Sequence, residues 1–298
     1  ILTGLIDDVR ELAPLPKILG ILFAALIIWF FTDFHFDSFK IPFGGPLLVF
    51  PTWLAFCLTV LWIVAITNAI NLIDGLDGLV AGVSIISLLT MGIVSYFFLY
   101  DSNIFLSLTI FVLVAAIAGF LPYNYHPAII YLGDTGALFI GFMIGVFSLQ
   151  GLKNSTAVAV VTPIIILGVP ITDTVVAIIR RKLSGQKIYE ADRMHLHHRL
   201  LSLGLTHRGT VLVIYAISFI FSLTSLLLNI SSQAGGVLLV VSLALGVEIL
   251  CELIGIFGEN RTPVLNLLRF IGNSSYRQEM IAKRKTKRSD SQDTKENN

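Results

Sequence analysis

The segment 68-NAINLIDGLDGLVAG-82 sets Asn71, Asp74 and Asp77 between two long apolar runs. Over 298 residues the chain is 55% hydrophobic and only 13% charged. That is more apolar surface than a soluble domain of this length needs, so the flanking runs read as membrane spans. The expected fold class is all-α, a polytopic membrane helix bundle. A carboxylate near the bilayer centre costs about 2.5–3.5 kcal/mol, less toward the interface, and such groups usually line a polar cavity. On a helix the three-residue spacing puts Asn71, Asp74 and Asp77 on one face. Gly75 and Gly78 let a ligand approach the backbone, and Asp77 is placed to cap a helix starting near Gly78.

Outward from this segment, apolar runs near the roughly 20 residues of a crossing fall at 17–32, 47–67, 79–100, 104–121, 136–150, 157–179, 210–230 and 234–256. That makes about eight transmembrane helices. The connection 122-PYNYHPAIIYLGDT-135, with two prolines and a Gly-Asp pair, reads as a loop. With Asp7 and Asp8 placed in the cytoplasm, the outer loops 33–46, 101–103, 151–156 and 231–233 hold only Lys40 and Lys153. The other 18 of the 20 Lys and Arg then lie inside, as the positive-inside rule requires. The same assignment gathers Asp7-Asp8, residues 68–78, 131-YLGDTG-136 and 195-HLHHR-199 on the cytoplasmic face of the cell membrane. A transporter would instead hold its acids near the midplane, and no internal repeat is visible. The membrane-embedded domain is read as 1–256 and a basic, polar cytoplasmic tail as 257–298, with 283-KRKTKR-288 drawn to anionic lipid. The opening ILTGLI resembles the end of an apolar helix, and the chain is read as a fragment of a longer protein. Cys57 and Cys251 are far apart and form no metal or disulfide pattern.

The neighbouring Asp7 and Asp8 carboxylates perturb one another and suit a base or a cation ligand, although acidic pairs also flank spans for no chemical reason. Lys17 is a point charge for phosphate or a snorkelling interface lysine. Gly133-Asp134-Thr135-Gly136 reads as a tight turn before a helix, with amides for an anion and Asp134 for a hard cation. Tyr131 can stack on a base or sit at the interface. His195, His197 and His198 lie beside Arg199, without the Cys or HExxH partners of a zinc site, and fit phosphate better. Acids for Mg²⁺ and a basic histidine loop on one face suggest metal-assisted phosphoryl transfer.

Together 4-GLIDD-8, NAINLIDGLDGLVAG, 41-IPFGG-45, the LGDTG turn, 168-GVPITDT-174, 195-HLHHRLLSLG-204 and 258-GENRTPVLNLLR-269 resemble the polyprenyl-phosphate N-acetylhexosamine-1-phosphate transferases, in their TagO/WecA branch. The resemblance implies transfer of GlcNAc-1-phosphate from UDP-GlcNAc to undecaprenyl phosphate, with UMP released. In Gram-positive bacteria this starts wall teichoic acid synthesis. It implies catalytic roles for Asp7, Asp8, Lys17, Asp74, His195, His197 and His198, and a Mg²⁺ (or Mn²⁺) held by Asp134 and Asn71. Gly75, Leu76, Asp77 and Tyr131 would hold uracil, Asn124 would lie near the nucleotide, and Arg199 would join the histidines at the sugar phosphate. The alternative is phospho-MurNAc-pentapeptide transfer, whose enzymes show three consecutive histidines where Leu196 interrupts the run here. Expected partners are the two substrates and the bilayer, with no nucleic acid, and a homodimer is an allowed assembly. Family members carry about two further helices before the aspartate pair.

Overall fold

The computed structural model describes residues 1–40, 46–98, 104–153, 157–183, 195–255 and 262–278. The 41-IPFGG-45 segment, residues 258–261 and 283-KRKTKR-288 lie outside the described residues. Contacts divide the chain into two units, Ile1–Leu243 and Ala244–Asn298.

The first unit is built of helices. They run in order α1 (Leu2–Arg10), α2 (Pro14–Phe31), α3 (Thr52–Leu72), α4 (Leu79–Phe98), α5 (Ile104–Asn124), α6 (Gly133–Lys153), α7 (Ala157–Ile166), α8 (Gly168–Leu183), α9 (Leu196–Ser202), α10 (His207–Ile230) and the start of α11 (Gln233–Ile254). Among the described residues the only strands are the paired three-residue β1 (Ser38–Lys40) and β2 (Leu47–Val49). Among the described residues six helices, α2, α3, α4, α5, α10 and α11, are long and apolar enough to cross a bilayer, and the apolar stretch of α6 is shorter. The chain is an all-α polytopic membrane protein. Large side chains such as Phe23, Phe31, Leu61 and Phe105 stay exposed on the helix exteriors, where lipid rather than water is the matching solvent.

Several expected boundaries move. The span read as 47–67 begins only at Thr52, because 47–49 pairs with 38–40 as a hairpin. The loop read as 122–135 shrinks at both ends. α5 carries Pro122 within its last turn and runs to Asn124, while α6 starts at Gly133, so Asp134 sits in the first turn of a helix rather than before one. The single span at 157–179 is two helices interrupted at Leu167. Pro170 has no N–H to give the Ile166 carbonyl, which opens the helix there. Ser87 Oγ of α4 donates to that carbonyl at 3.4 Å, satisfying the acceptor inside the bundle.

α4 is the central helix, lined with buried residues from Leu79 to Ser95. On one flank α3 and α6 meet closely because Gly141 lies directly against Thr67 and Ile70, and Gly145 against Ile63. Ala25, Val60, Ile63, Val146 and Leu149 form the core between α2, α3 and α6. Polar links reinforce these contacts: Trp62 Nε1 to Ser148 Oγ at 2.7 Å, Ser107 to Ser95 at 2.9 Å, and Asn229 to Thr162 Oγ1 at 3.1 Å. In the second unit, Glu252 is buried and takes the amides of Val264 and Leu265 at 2.7 Å each. This caps α12 (Pro263–Gly272).

Candidate active site

The polar helix ends converge at one end of the bundle. α1 lies on the first turn of α6, where Gly4 touches the backbone of Asp134 and Thr135. From there Asp8 reaches the α6 amides: Oδ1 accepts from Asp134 N at 2.7 Å, and Oδ2 from Thr135 N at 3.1 Å and Thr135 Oγ1 at 2.6 Å. The anion expected at this helix start is therefore a carboxylate of the chain itself. Gly133 is left-handed (φ 63°), and a side chain there would press on Asp8. Burial opposes charge on Asp8, but the Thr135 and Asp134 donors outweigh it and hold its carboxyl below the usual range.

Asp7 is buried and turns the other way. Oδ1 accepts from Leu12 N at 2.6 Å, closing the α1–α2 break, and Oδ2 meets Lys17 Nζ at 2.6 Å. The same ammonium lies 2.6 Å from Asp134 Oδ1, which also accepts the Asn71 amide. Burial disfavours the Asp7 charge, yet Lys17 and Asp134 hydrogen bonding and the Leu12 amide keep its carboxyl lowered. Asp7, Lys17, Asn71 and Asp134, from α1, α2, α3 and α6, thus form one bonded cluster.

α3 ends at Leu72, so residues 73–78 are a turn and not the helical face expected for Asn71, Asp74 and Asp77. Asp74 is left partly buried. Burial first, then the negative charges of Asp134, Asp8 and Asp77, push its carboxyl up to about 7. Asp77 is not the cap of α4. Its Oδ2 accepts from His126 Nδ1 at 2.8 Å and from Ala128 N at 3.1 Å, tying the turn to the 125–132 loop. Burial opposes the Asp77 charge, but the His126 and Ala128 donors leave its carboxyl lowered. Asn124 is buried, accepting from Gly78 N at 3.1 Å and donating to Ile130 O at 3.0 Å. Tyr215 of α10 donates to Gly78 O. Leu76 is buried, whereas Tyr131 is 73% exposed and its ring face is open.

His197 packs its imidazole on Gly75, a contact that any Cβ at position 75 would obstruct. Its buried Nε2 has no hydrogen-bond partner among the described residues. Burial and the neighbouring His198 push its pKa down to about 4, so the ring is neutral at physiological pH. His198 lies 4.1 Å from His197 and is exposed. His195 is buried and bonds Asp173 of α8. Arg199 follows within α9, partly exposed.

The implied Mg²⁺ fits the first cluster on its donor chemistry. Asp7 and Asp134 already share the Lys17 ammonium, and Asp8 and Asp74 add further carboxylates, so that acids outnumber ammonium groups there among the described residues. Hard oxygen donors with excess negative charge suit a divalent ion. Asp77, His126 and His207 also bring three ligand atoms within 4.8 Å of one another. There the two imidazoles stack on one another at 4.0 Å and 16°. Sequence reasoning missed Asp173, His126, His207 and Tyr215. The 168-GVPITDT-174 motif was the one signal for Asp173, and nothing marked Tyr215 within its apolar run.

The glycosyl transferase family 4 model matches residues 1–152. A probable undecaprenyl-phosphate N-acetylglucosaminyl 1-phosphate transferase of Bacillus subtilis is 44% identical over 264 residues, covering 88% of this chain and 72% of the relative. A decaprenyl-phosphate N-acetylglucosaminephosphotransferase of Mycolicibacterium smegmatis is 35% identical, covering 71% of this chain and 56% of its own length. An undecaprenyl-phosphate alpha-N-acetylglucosaminyl 1-phosphate transferase of Salmonella typhi is 27% identical, covering 72% and 59%.

Proposed function

The chain belongs to glycosyl transferase family 4, and from that premise we propose that it transfers GlcNAc-1-phosphate from UDP-GlcNAc to undecaprenyl phosphate. An oxygen of the lipid phosphate bonds to the β-phosphorus, and the bond from that phosphorus to the bridging oxygen breaks, releasing UMP. The observation that carries this reading is the Lys17 ammonium held between Asp7 and Asp134, with Asn71 on the same Asp134 oxygen. It joins four helix ends into a compact charged centre of the kind phosphoryl transfer needs, where positioning and electrostatics do most of the catalysis.

In this reading Lys17 pivots from the carboxylates to the donor diphosphate as a point charge. Asp134, with Asn71 and Asp7, would hold Mg²⁺, which when bound neutralises phosphate charge. Asp8 keeps the first turn of α6 rigid beneath Asp134. Tyr131 offers an exposed ring for uracil, and the 73–78 turn, fastened by His126 at Asp77 and by Asn124 and Tyr215 at Gly78, would complete the nucleotide's seat. We assign His198, exposed on α9, and the partly exposed Arg199 to the sugar phosphate. The site faces the cytoplasm, supported by the distribution of Lys and Arg. The lipid product would feed wall teichoic acid or a related envelope polymer.

Membranes carrying the protein should convert labelled UDP-GlcNAc and undecaprenyl phosphate into lipid-extractable product with equimolar UMP. UDP-MurNAc-pentapeptide offered in parallel should give none. Asp134→Ala should lower kcat by about 10²-fold or more, as loss of a principal electrostatic group does. Undiminished turnover by that variant would remove the Lys17–Asp134 cluster from the mechanism.

A further inference from the structure

Asp173 lies in α8, outside the Asp7–Lys17–Asn71–Asp134 cluster, and is buried together with His195. Its two oxygens do different things. Oδ2 meets His195 Nδ1 at 2.8 Å, while Oδ1 accepts from Leu196 N, the first amide of α9, at 2.8 Å. His195 occupies the N-cap position but makes no capping bond with its own side chain. Asp173 thus supplies from another helix the acceptor that the cap residue does not.

An ionised carboxylate can only accept, so the ring nitrogen facing it must carry the proton. In its singly protonated form the His195 ring is then the Nδ1–H tautomer, and Nε2 is left as its acceptor for any further partner. The effect reaches beyond one ring. The His195 and His197 imidazoles are parallel to within 4° at 6.1 Å, and His197 rests on Gly75, next to Asp74. One carboxylate therefore sets both the tautomer at the head of the histidine segment and the seat of that segment on the 73–78 turn.

We propose that Asp173 is a positioning residue for the transfer reaction, holding His195 as the Nδ1–H tautomer so that Nε2 is the ring atom presented toward the sugar phosphate. This rests on the transferase reading above for its kinetic consequence, but not for its structural one. Asp173→Asn is the informative change. Its amide oxygen can keep the Leu196 N–H, which leaves the NH₂ facing the ring and forces the opposite tautomer.

The test combines ¹⁵N NMR of histidine-labelled protein in nanodiscs with steady-state kinetics, the His195 signal being identified by its loss in His195→Gln. Wild type should show protonated Nδ1 at His195, and Asp173→Asn should show protonated Nε2. In the same preparations Asp173→Asn should lose about 10²-fold in kcat with KM for UDP-GlcNAc nearly unchanged, the pattern of an interaction made in the transition state. Asp173→Glu should recover part of that loss. A wild-type His195 protonated at Nε2, an unchanged tautomer in Asp173→Asn, or full kcat in that variant would each overturn the assignment. If wild type forms no GlcNAc lipid, the transferase reading fails, yet the tautomer comparison still decides the structural role of Asp173.

Discussion

Asp7, Asp8, Asp77 and Asp134 all accept hydrogen bonds from identified donors, whereas burial and three neighbouring acids act on Asp74 with no donor among the described residues to offset them. An unfolded aspartate releases its proton near 3.8, while folded Asp74 retains it up to about 7. The folded state therefore binds more protons in between, and the group costs stability progressively as pH rises through that window. The upper limit is on the order of 4 kcal/mol above pH 7, at about 1.4 kcal/mol per unit. Asp74→Asn, measured in detergent with a chelator present, should unfold at a higher temperature than wild type at pH 8. The gap should narrow at pH 5, and the variant should be inactive at both values. A variant that melts lower than wild type at pH 8 would show that Asp74 is paired in solution. Such a trade of stability for function is common where active sites hold like charges together. The sequence announced that Asp74 was unusual, but the reason was not legible there. It lies first in burial by the fold, and then in the through-space proximity of Asp134 and Asp8, 60 and 66 positions away in the chain.

At the scale of helices, the glycine contacts are unequal in a way that makes a second prediction. A Cβ at Gly141 would stand 2.9 Å from the Thr67 carbonyl oxygen and 3.0 Å from Thr67 Cα, backbone atoms of a buried helix that cannot swing aside. At Gly145 the nearest atom, Ile63 Cα, is 3.5 Å away, an ordinary contact. Gly141→Ala should therefore destabilise the protein by about 1–3 kcal/mol, the usual cost of overpacking. Gly145→Ala should be near neutral in the same thermal unfolding assay, and equal effects would mean that α3 and α6 are not this close. The existence of the helices was plain in the apolar runs, since length and composition alone demand them in lipid. Their interruptions were less so. Pro163 and Pro170 sit inside one continuous apolar run, and only the Ser87 contact shows how the α7–α8 break is accommodated. The hairpin at 38–40 and 47–49 was hidden because its second strand is as apolar as the span that follows.

For the molecule as a whole, the decisive matter is which side of the membrane receives the converged helix ends. Sequence reasoning reached that convergence by counting loops, and in the fold the helix ends meet because Lys17 and Asn71 both bond Asp134. Sidedness, however, depends on how charge is distributed along the chain, with 18 of the 20 Lys and Arg counted on the site's side. α10 makes this testable. Its 24 residues span about 36 Å, enough to cross the roughly 30 Å hydrocarbon core, with His207 at the site end and Ile230 at the other. In a background with Cys57→Ser and Cys251→Ser, Leu203→Cys and Gln233→Cys place single thiols just beyond its two ends. A membrane-impermeant maleimide should label Gln233→Cys in intact cells, and Leu203→Cys only after permeabilisation. The reverse pattern would turn the acidic cluster outward, away from cytoplasmic UDP-sugars, and the transferase reading would fall with it.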